Sequence, residues 1–217
     1  MSAAAHVPGG VRLVLATHNA HKVGELRDIL HAVPALADLD PASVVGAGDV
    51  GAPEPVEDGV TFEENALIKA RALVAFTGLP AVADDSGIAV DVLGGAPGVF
   101  SARWSGRHGD DAANLDLLLA QVADVPDVHR GAAFVCAAAL VTPDGEEVVR
   151  VGELRGSLLR ERHGDGGFGY DPVFRPDGET RSTAELTPAE KNAVSHRGRA
   201  FRALAPEVAR VLAAGRG

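Results

Sequence analysis

The chain has 217 residues, of which 46% are hydrophobic and only 4% aromatic, and its 20 Lys and Arg against 30 Asp and Glu leave a net charge of −10. That length suits one ordinary domain or two small lobes, with a core built mostly from Ala, Val and Leu. The negative balance argues against general binding to DNA, RNA or an anionic membrane face, while leaving room for one small anion held by a local cluster of lysines. The single cysteine, Cys136, allows no internal disulfide and no Cys-based zinc site, and its setting AAFVCAAALV reads as a buried strand. No apolar run approaches the ~18 residues a membrane helix needs. MSAAAHVPGG lacks the basic start and long apolar stretch of a signal peptide. The expectation is a soluble, cytoplasmic protein with residues 1–10 a disordered tail and 11–217 a single domain of two lobes.

In chain order, VRLVLA (11–16) has the length of a short buried strand, and a helical pattern follows from Ala20 to His31 with Val23, Leu26 and Leu30 on one side. A loop at the carboxyl end of a buried strand suits an α/β protein. Residues 40–60 are rich in Pro, Gly, Asp and Glu and read as loop. Thr61 to Thr77 is a helix, with Phe62, Ala66, Ala70 and Leu73 at helical spacing and Thr61 and Glu64 as a capping box. AVAD (81–84) and IAVDVL (88–93) read as strands broken at Asp85-Ser86-Gly87. Asp110 to Val122 is a third helix. AAFVCAAALVT and EEVVRVGELRG flank Pro143-Asp144-Gly145 as a hairpin. After the Gly-rich HGDGGFGYDPVF (163–174), Thr187-Pro188 opens a short helix, and Ser195 is placed to cap a last one carrying Phe201, Leu204, Val208 and Leu212. The mixture predicts an α/β fold: a mixed sheet flanked by helices, in two lobes with a substrate cleft.

Five segments carry residues with chemical potential. Thr17-His18-Asn19-Ala20-His21-Lys22 stands at a helix N-terminus, where free N–H groups and the dipole suit phosphate, although a plain cap at Asn19 with a solvated Lys22 accounts for it as well. Asp84-Asp85-Ser86-Gly87 places adjacent carboxylates where a strand is expected to end. That is costly unless a cation or proton relieves them, and oxygen ligands of this kind suit Mg²⁺; an Asx turn is the competing account. On helix 61–77, Asn65 and Lys69 lie four apart and share a face, and Glu54, Glu57 and Asp58 of the preceding loop could add carboxylates to a metal site, although a merely solvated acidic loop accounts for them as well. In Gly166-Gly167-Phe168-Gly169-Tyr170-Asp171, glycines let the backbone approach a flat ligand while Phe168 stacks on it, or else both aromatics are core residues. Lys191 with Ser195-His196-Arg197 forms a basic cluster near a helix start, suited to phosphate and the oxo groups of a base, or merely a solvated helix end.

Taken together, LATHNAHKVGEL, TFEENALIKARA, ADDSGIAVDVLGGAPGVFSARWSG, GGFGYDPVF and ELTPAEKNAVSHRGRA resemble the inosine/xanthosine triphosphate pyrophosphatase family over about Val11 to Phe201. His18 departs from the Gly of many members. The resemblance implies an elongated mixed α/β sheet, two lobes and a homodimer that hydrolyses deaminated purine nucleoside triphosphates with Mg²⁺. It further implies that Thr17, His18, Asn19, Ala20, His21 and Lys22 bind phosphates with Lys69 and Lys191. Asp85 would be catalytic base and Mg²⁺ ligand, Glu57 a second metal ligand and Ser86 a substrate contact. Phe168, Gly169, Tyr170 and Asp171 would hold the base, with His196 and Arg197 reading its 6-oxo group. Two other functions stay open on sequence alone: a Maf-like pyrophosphatase of pyrimidine or modified nucleotides, against which GFGYD and SHR speak, and a catalytically silent nucleotide-binding regulator, against which Asp84, Asp85 and Lys22 speak.

Overall fold

A computed structural model describes residues 7–17 and 20–214, with only the main chain described at 20–22, 25 and 35. Its elements are β1 (Leu13–Leu15), α1 (Ala20–His31), β2 (Val44–Gly46), α2 (Phe62–Thr77), β3 (Ala81–Val90), α3 (Asp111–Gln121), β4 (Gly131–Val141), β5 (Glu147–Leu158), β6 (Phe174–Pro176), α4 (Pro188–Val194) and α5 (His196–Ala214), with short 3₁₀ turns between them. The six strands form one sheet in the order β2-β1-β3-β4-β5-β6. β1 runs parallel to both β2 and β3, whereas β6 runs antiparallel to β5. The mixed α/β sheet expected from the sequence is therefore present. By its contacts the chain divides into two compact units, the first Met1–Asp85, Ala137–Gly152 and Arg197–Gly217, the second Ser86–Cys136 and Glu153–His196.

In the first unit, small side chains set the geometry. Ala66 and Ala70 of α2, one turn apart, pack on Ala83 of β3 and on Ala137 and Ala139 of β4, all buried. Alanine against alanine lets a helix lie close to a sheet, because interaxial distance follows the size of the contacting side chains. A second cluster joins Val14, Val45, Val50, Leu73 and Ala81, with Val7 against it. Val7 lies against this cluster and residues 9–10 form a turn, while 1–6, the rest of the expected tail, lie outside the described residues.

The second unit has the larger side chains: Ile88, Val90, Leu115, Leu118, Phe134, Leu158, Tyr170 and Phe174 make one cluster, with Trp104 packed on it. Phe134 and Phe174 meet with ring centroids 4.5 Å apart. Cys136 is buried in β4, as expected. Arg130, 2% exposed, donates to the carbonyls of Leu158, Val122 and Leu159, which satisfies a buried guanidinium that the sequence pattern did not single out.

Three local expectations need correction. β2 lies within the segment read as loop; Val44 and Val45 were too short a run to register, and they become strand because β1 pairs with them in register Leu13↔Val44 and Val14↔Val45. β3 is one continuous strand, not two broken at 85–87. The Thr61–Glu64 box is only half formed: the Glu64 N–H donates to Thr61 Oγ1, but the Glu64 carboxylate accepts from Val60 N–H, one residue before the cap. The full reciprocal box occurs instead at Thr187 and Glu190, with Pro188 in the first turn of α4.

Candidate active site

The continuity of β3 changes the meaning of Asp84-Asp85. Successive strand residues point to opposite faces, so the two carboxylates make their direct contacts separately, although the charges of both act on Lys69. Each has its own cation. Asp84, 4% exposed, accepts from Arg197 Nε at 3.0 Å near the start of α5. Asp85 meets α2: Asn65 Nδ2 donates to Oδ2 at 3.1 Å, and Lys69 Nζ to Oδ1 at 3.3 Å. Asn65 and Lys69 sit one position before Ala66 and Ala70, so the packing of those alanines fixes how close both polar groups come to β3.

The loop before α2 is drawn into the same group. Gly59 N–H donates to Asn65 Oδ1 at 2.9 Å, and a Cβ at Gly59 would stand 2.6 Å from that oxygen, so only glycine permits the approach. Two residues earlier, Glu57 Oε2 lies 3.2 Å from Lys69 Nζ. One ammonium therefore receives two carboxylates, Glu57 and Asp85, and is itself mostly buried, its side chain 14% exposed. Asn65 joins all the parts, since its oxygen holds the loop and its nitrogen holds Asp85. Its spacing from Lys69 is visible in the sequence, but its role as this junction is not.

Electrostatics follow from burial. Desolvation pushes the Asp85 carboxyl above its ordinary value; Lys69 and the Asn65 hydrogen bond oppose this, and Glu57 adds to it. Lys69 is pulled down by its burial, but Asp85, Glu57 and Asp84 together outweigh that and hold the ammonium protonated above the usual lysine range. A buried carboxylate with raised proton affinity beside a fixed cation can take a proton from a nearby water. The convergence of Glu57 Oε2 and Asp85 Oδ1 on one cation also fits a hard divalent ion such as Mg²⁺, which typically takes one or two carboxylates and completes its shell with phosphate and water. Among the described residues no group of three or more His, Cys, Asp or Glu forms a metal cage.

The second unit holds a different constellation. Asp171, 2% exposed, accepts from Phe168 N–H at 2.8 Å, from Thr183 Oγ1 at 2.9 Å and from the ammonium of Lys191. Gly167 adopts φ +73, and a Cβ there would meet Asp171 Oδ2 at 2.2 Å, so this glycine makes room for a carboxylate of the chain itself. The closed turn presents Phe168 at 67% exposure, with Lys191 Nζ 4.8 Å from its ring centroid. Tyr170 points the other way, 5% exposed, its hydroxyl donating to the Ser101 carbonyl at 2.8 Å. The two aromatics of one motif thus split, one outward and one core. The ring of His196 stacks on Phe134 at 5.2 Å, an anchor that its sequence neighbours gave no sign of.

Of the remaining sequence candidates, His18 and Asn19 lie outside the described residues, and Ala20, His21 and Lys22 are described only as the first turn of α1. Thr17 precedes them, its carbonyl accepting from Ala47 N–H at 3.0 Å. Ser86 and Gly169 belong to the second unit, and Gly169 N–H donates to Asp111 at 2.9 Å.

Comparison with known proteins supplies the wider frame. The chain is 63% identical over 202 residues to a Streptomyces coelicolor protein named dITP/XTP pyrophosphatase, covering 93% of this chain and 98% of the relative. It is 58% identical over 205 residues to a Mycobacterium tuberculosis protein of the same name, covering 94% and 98%. Among solved structures, a dITP/XTP pyrophosphatase from Mycobacterium abscessus matches with TM-score 0.75 and 56% identity over 90% of this chain and all of the other. A HAM1 protein from Coxiella burnetii matches with TM-score 0.82 and 37% identity over 92% and 99%. A family model described as the Ham1 family spans residues 13–207, and with these relatives it establishes that the chain belongs to the Ham1 family.

Proposed function

We propose that this chain is a house-cleaning hydrolase that converts the non-standard purine nucleoside triphosphates ITP, dITP and XTP to nucleoside monophosphate and pyrophosphate, keeping them out of DNA and RNA precursor pools. The observation that carries the reading is Asp85: a largely but not fully enclosed carboxylate with raised proton affinity, held by Asn65 and Lys69, in a chain whose close relatives are named dITP/XTP pyrophosphatases.

In this reaction water attacks the α-phosphorus, the bond from that phosphorus to the bridging oxygen breaks, and pyrophosphate leaves. Asp85 takes the proton from the water. Lys69, with Lys22 and the N–H groups at the start of α1, would neutralise the triphosphate, and by the family resemblance Thr17, His18, Asn19, Ala20 and His21 would contact the phosphates. Ser86 contacts substrate beside Asp85. Asp85 and Glu57 would hold Mg²⁺, which would supply charge neutralisation on the phosphates and lower the pKa of a bound water.

The base is held by the turn Phe168-Gly169-Tyr170-Asp171, with the exposed Phe168 ring as the stacking surface. Lys191 was expected with the phosphates; its seat on Asp171 and over Phe168 supports a role at the base end instead. His196 and Arg197 donate to a 6-oxo group. Each is oriented by a buried partner, Phe134 for the imidazole and Asp84 for the guanidinium. Adenine presents a donor at that position and leaves these donors without acceptors, at ~1–3 kcal/mol each. The family resemblance supports a cytoplasmic location and a homodimer, and light scattering on the purified protein tests the dimer.

The deciding assay is pyrophosphate release from ITP, XTP, GTP and ATP, each with Mg²⁺ and with EDTA. ITP and XTP should be turned over far faster than ATP and GTP, and only with the metal. Orthophosphate as the first product, or a preference for pyrimidine nucleotides, refutes the reading.

A further inference from the structure

We propose that Lys69 gates the metal site: without nucleotide its ammonium occupies Glu57 Oε2 and Asp85 Oδ1, the oxygens that would hold the divalent cation, so the cation enters with the triphosphate and not ahead of it. The inference rests on the reading that these carboxylates bind Mg²⁺.

Lys69 Nζ lies 3.2 Å from Glu57 and 3.3 Å from Asp85. The contact with Asp85 is the more enclosed of the two: the Lys69 and Asp85 side chains are 14% and 16% exposed, while Glu57 is 37% exposed and lies two residues before the Gly59 N–H that bonds Asn65. A divalent ion arriving alone must displace the ammonium from both oxygens. It then leaves a mostly buried cation without its partners, beside a second and larger positive charge. A triphosphate changes that balance. Its oxygens accept the ammonium as the carboxylates release it, and they complete the shell of a cation for which the chain alone gathers no cage of three or more side chains among the described residues. Lys69 therefore has two successive partners, carboxylates before binding and phosphate after. The gate makes loading of the metal conditional on the substrate's own polyanion.

The test uses Mn²⁺ as the probe, with no nucleotide, at about pH 8 so that the carboxylates are ionised. Binding is read from the loss of the free-ion electron paramagnetic resonance signal. Lys69→Gln and Lys69→Met should bind Mn²⁺ at least about tenfold tighter than the wild type, the scale of one charge-assisted hydrogen bond. Lys69→Arg, which keeps the charge, should match the wild type, and adding Glu57→Gln to Lys69→Gln should abolish the gain. Circular dichroism confirms that each variant is folded. Equal or weaker Mn²⁺ binding by both folded neutral variants overturns the gate. Pyrophosphate release by the wild type is measured beside it. Turnover of ITP that persists in EDTA sinks the metal reading and the gate with it, whereas turnover that needs Mg²⁺ with no gain in the Lys69 variants sinks the gate alone.

Discussion

Each unit contains a lysine paired with an aspartate, buried in one and 16% exposed in the other, and the two pairs do opposite work. In the second unit Asp171 is enclosed by donors: a main-chain N–H, a threonine hydroxyl and the Lys191 ammonium. Its side chain is 3% exposed, and nothing about it is left to react. In the first unit Asp85 has a similar lysine, but its other direct partner is one amide hydrogen of Asn65, and desolvation outweighs both to raise its proton affinity. The difference is the number of donors per carboxylate. A carboxylate bonded from several directions is a strut that shapes a loop, whereas one left short of donors in a dry place keeps an appetite for a proton or a metal ion.

The comparison breaks most sharply at Asp85. Asp85→Asn preserves shape and the contact with α2 while removing the charge. Turnover of ITP should fall by at least about 10²-fold, the lower end for loss of a general base, with circular dichroism and thermal unfolding little changed. A folded Asn variant that retained near-normal turnover with Mg²⁺ would remove Asp85 from the chemistry.

Asp171→Ala should show the inverse pattern. It leaves the Phe168 N–H, the Thr183 hydroxyl and Lys191 without their acceptor, at ~1–3 kcal/mol for each buried donor. Lys191 is partly exposed and is partly rescued by water, so a total near ~3 kcal/mol is expected in chemical denaturation. Because the turn that carries Phe168 loosens, KM for ITP should rise by more than kcat falls. If kcat collapsed while stability held, Asp171 would belong with Asp85 and the contrast between strut and base would fail.

These two aspartates also show what sequence can and cannot disclose. Asp85 is legible as one of two adjacent carboxylates, Asp171 only as the last residue of a motif read for its glycines and aromatics, and α1 and α2 are legible from apolar spacing and turn signals. The division of labour was not legible, because it depends on donors from elsewhere in the chain: Asn65 and Lys69 for one, Thr183 and Lys191 for the other. The pairing of Asp84 with Asp85 was misread for a related reason. Asp-Ser-Gly is a strong turn signal, yet β3 runs through it, and a continuous strand sends neighbouring carboxylates to opposite faces. The β2 strand escaped notice because three residues carry too little pattern without their partner β1. His196 on Phe134 is a contact across 62 positions of sequence, beyond the reach of any local rule.

Lys191 sharpens the comparison from the cation's side. If Lys69 serves the phosphates and Lys191 the base, their losses should differ by ligand. Lys191→Met should weaken IMP and ITP by similar factors, on the order of tenfold, as expected for one charge-assisted contact. Lys69→Met should weaken ITP by a comparable factor and leave IMP much less affected. Isothermal titration with the monophosphate, and with a non-hydrolysable triphosphate analogue, reads both. A Lys191 variant that lost only triphosphate affinity would return that lysine to the phosphate tail.

The smallest expected effect is at Tyr170, and it tests whether a residue inside a ligand-binding motif must itself touch the ligand. Tyr170 is 5% exposed and lies in the aromatic cluster of the second unit, and its hydroxyl donates to the carbonyl of Ser101. Ser101 is in turn a junction: its Oγ accepts from Ile88 N–H at 2.9 Å and donates to the Gly98 carbonyl at 2.6 Å. The phenol therefore links the turn beneath Phe168 to the strand that continues from Ser86, and it does so through one hydrogen bond. Tyr170→Phe removes that bond and retains the ring, so packing is preserved. The orphaned carbonyl sets the cost, about 1–2 kcal/mol in denaturant unfolding. Kinetics should scarcely respond, with KM for ITP and the ratio of ITP to GTP efficiency each changing by less than about threefold, well under the ~1.4 kcal/mol that a tenfold change represents. A tenfold or larger rise in KM with unfolding stability unchanged would mean that the hydroxyl turns from Ser101 to the base when substrate binds, and Tyr170 would then be a reader of the nucleotide and not a strut beneath it.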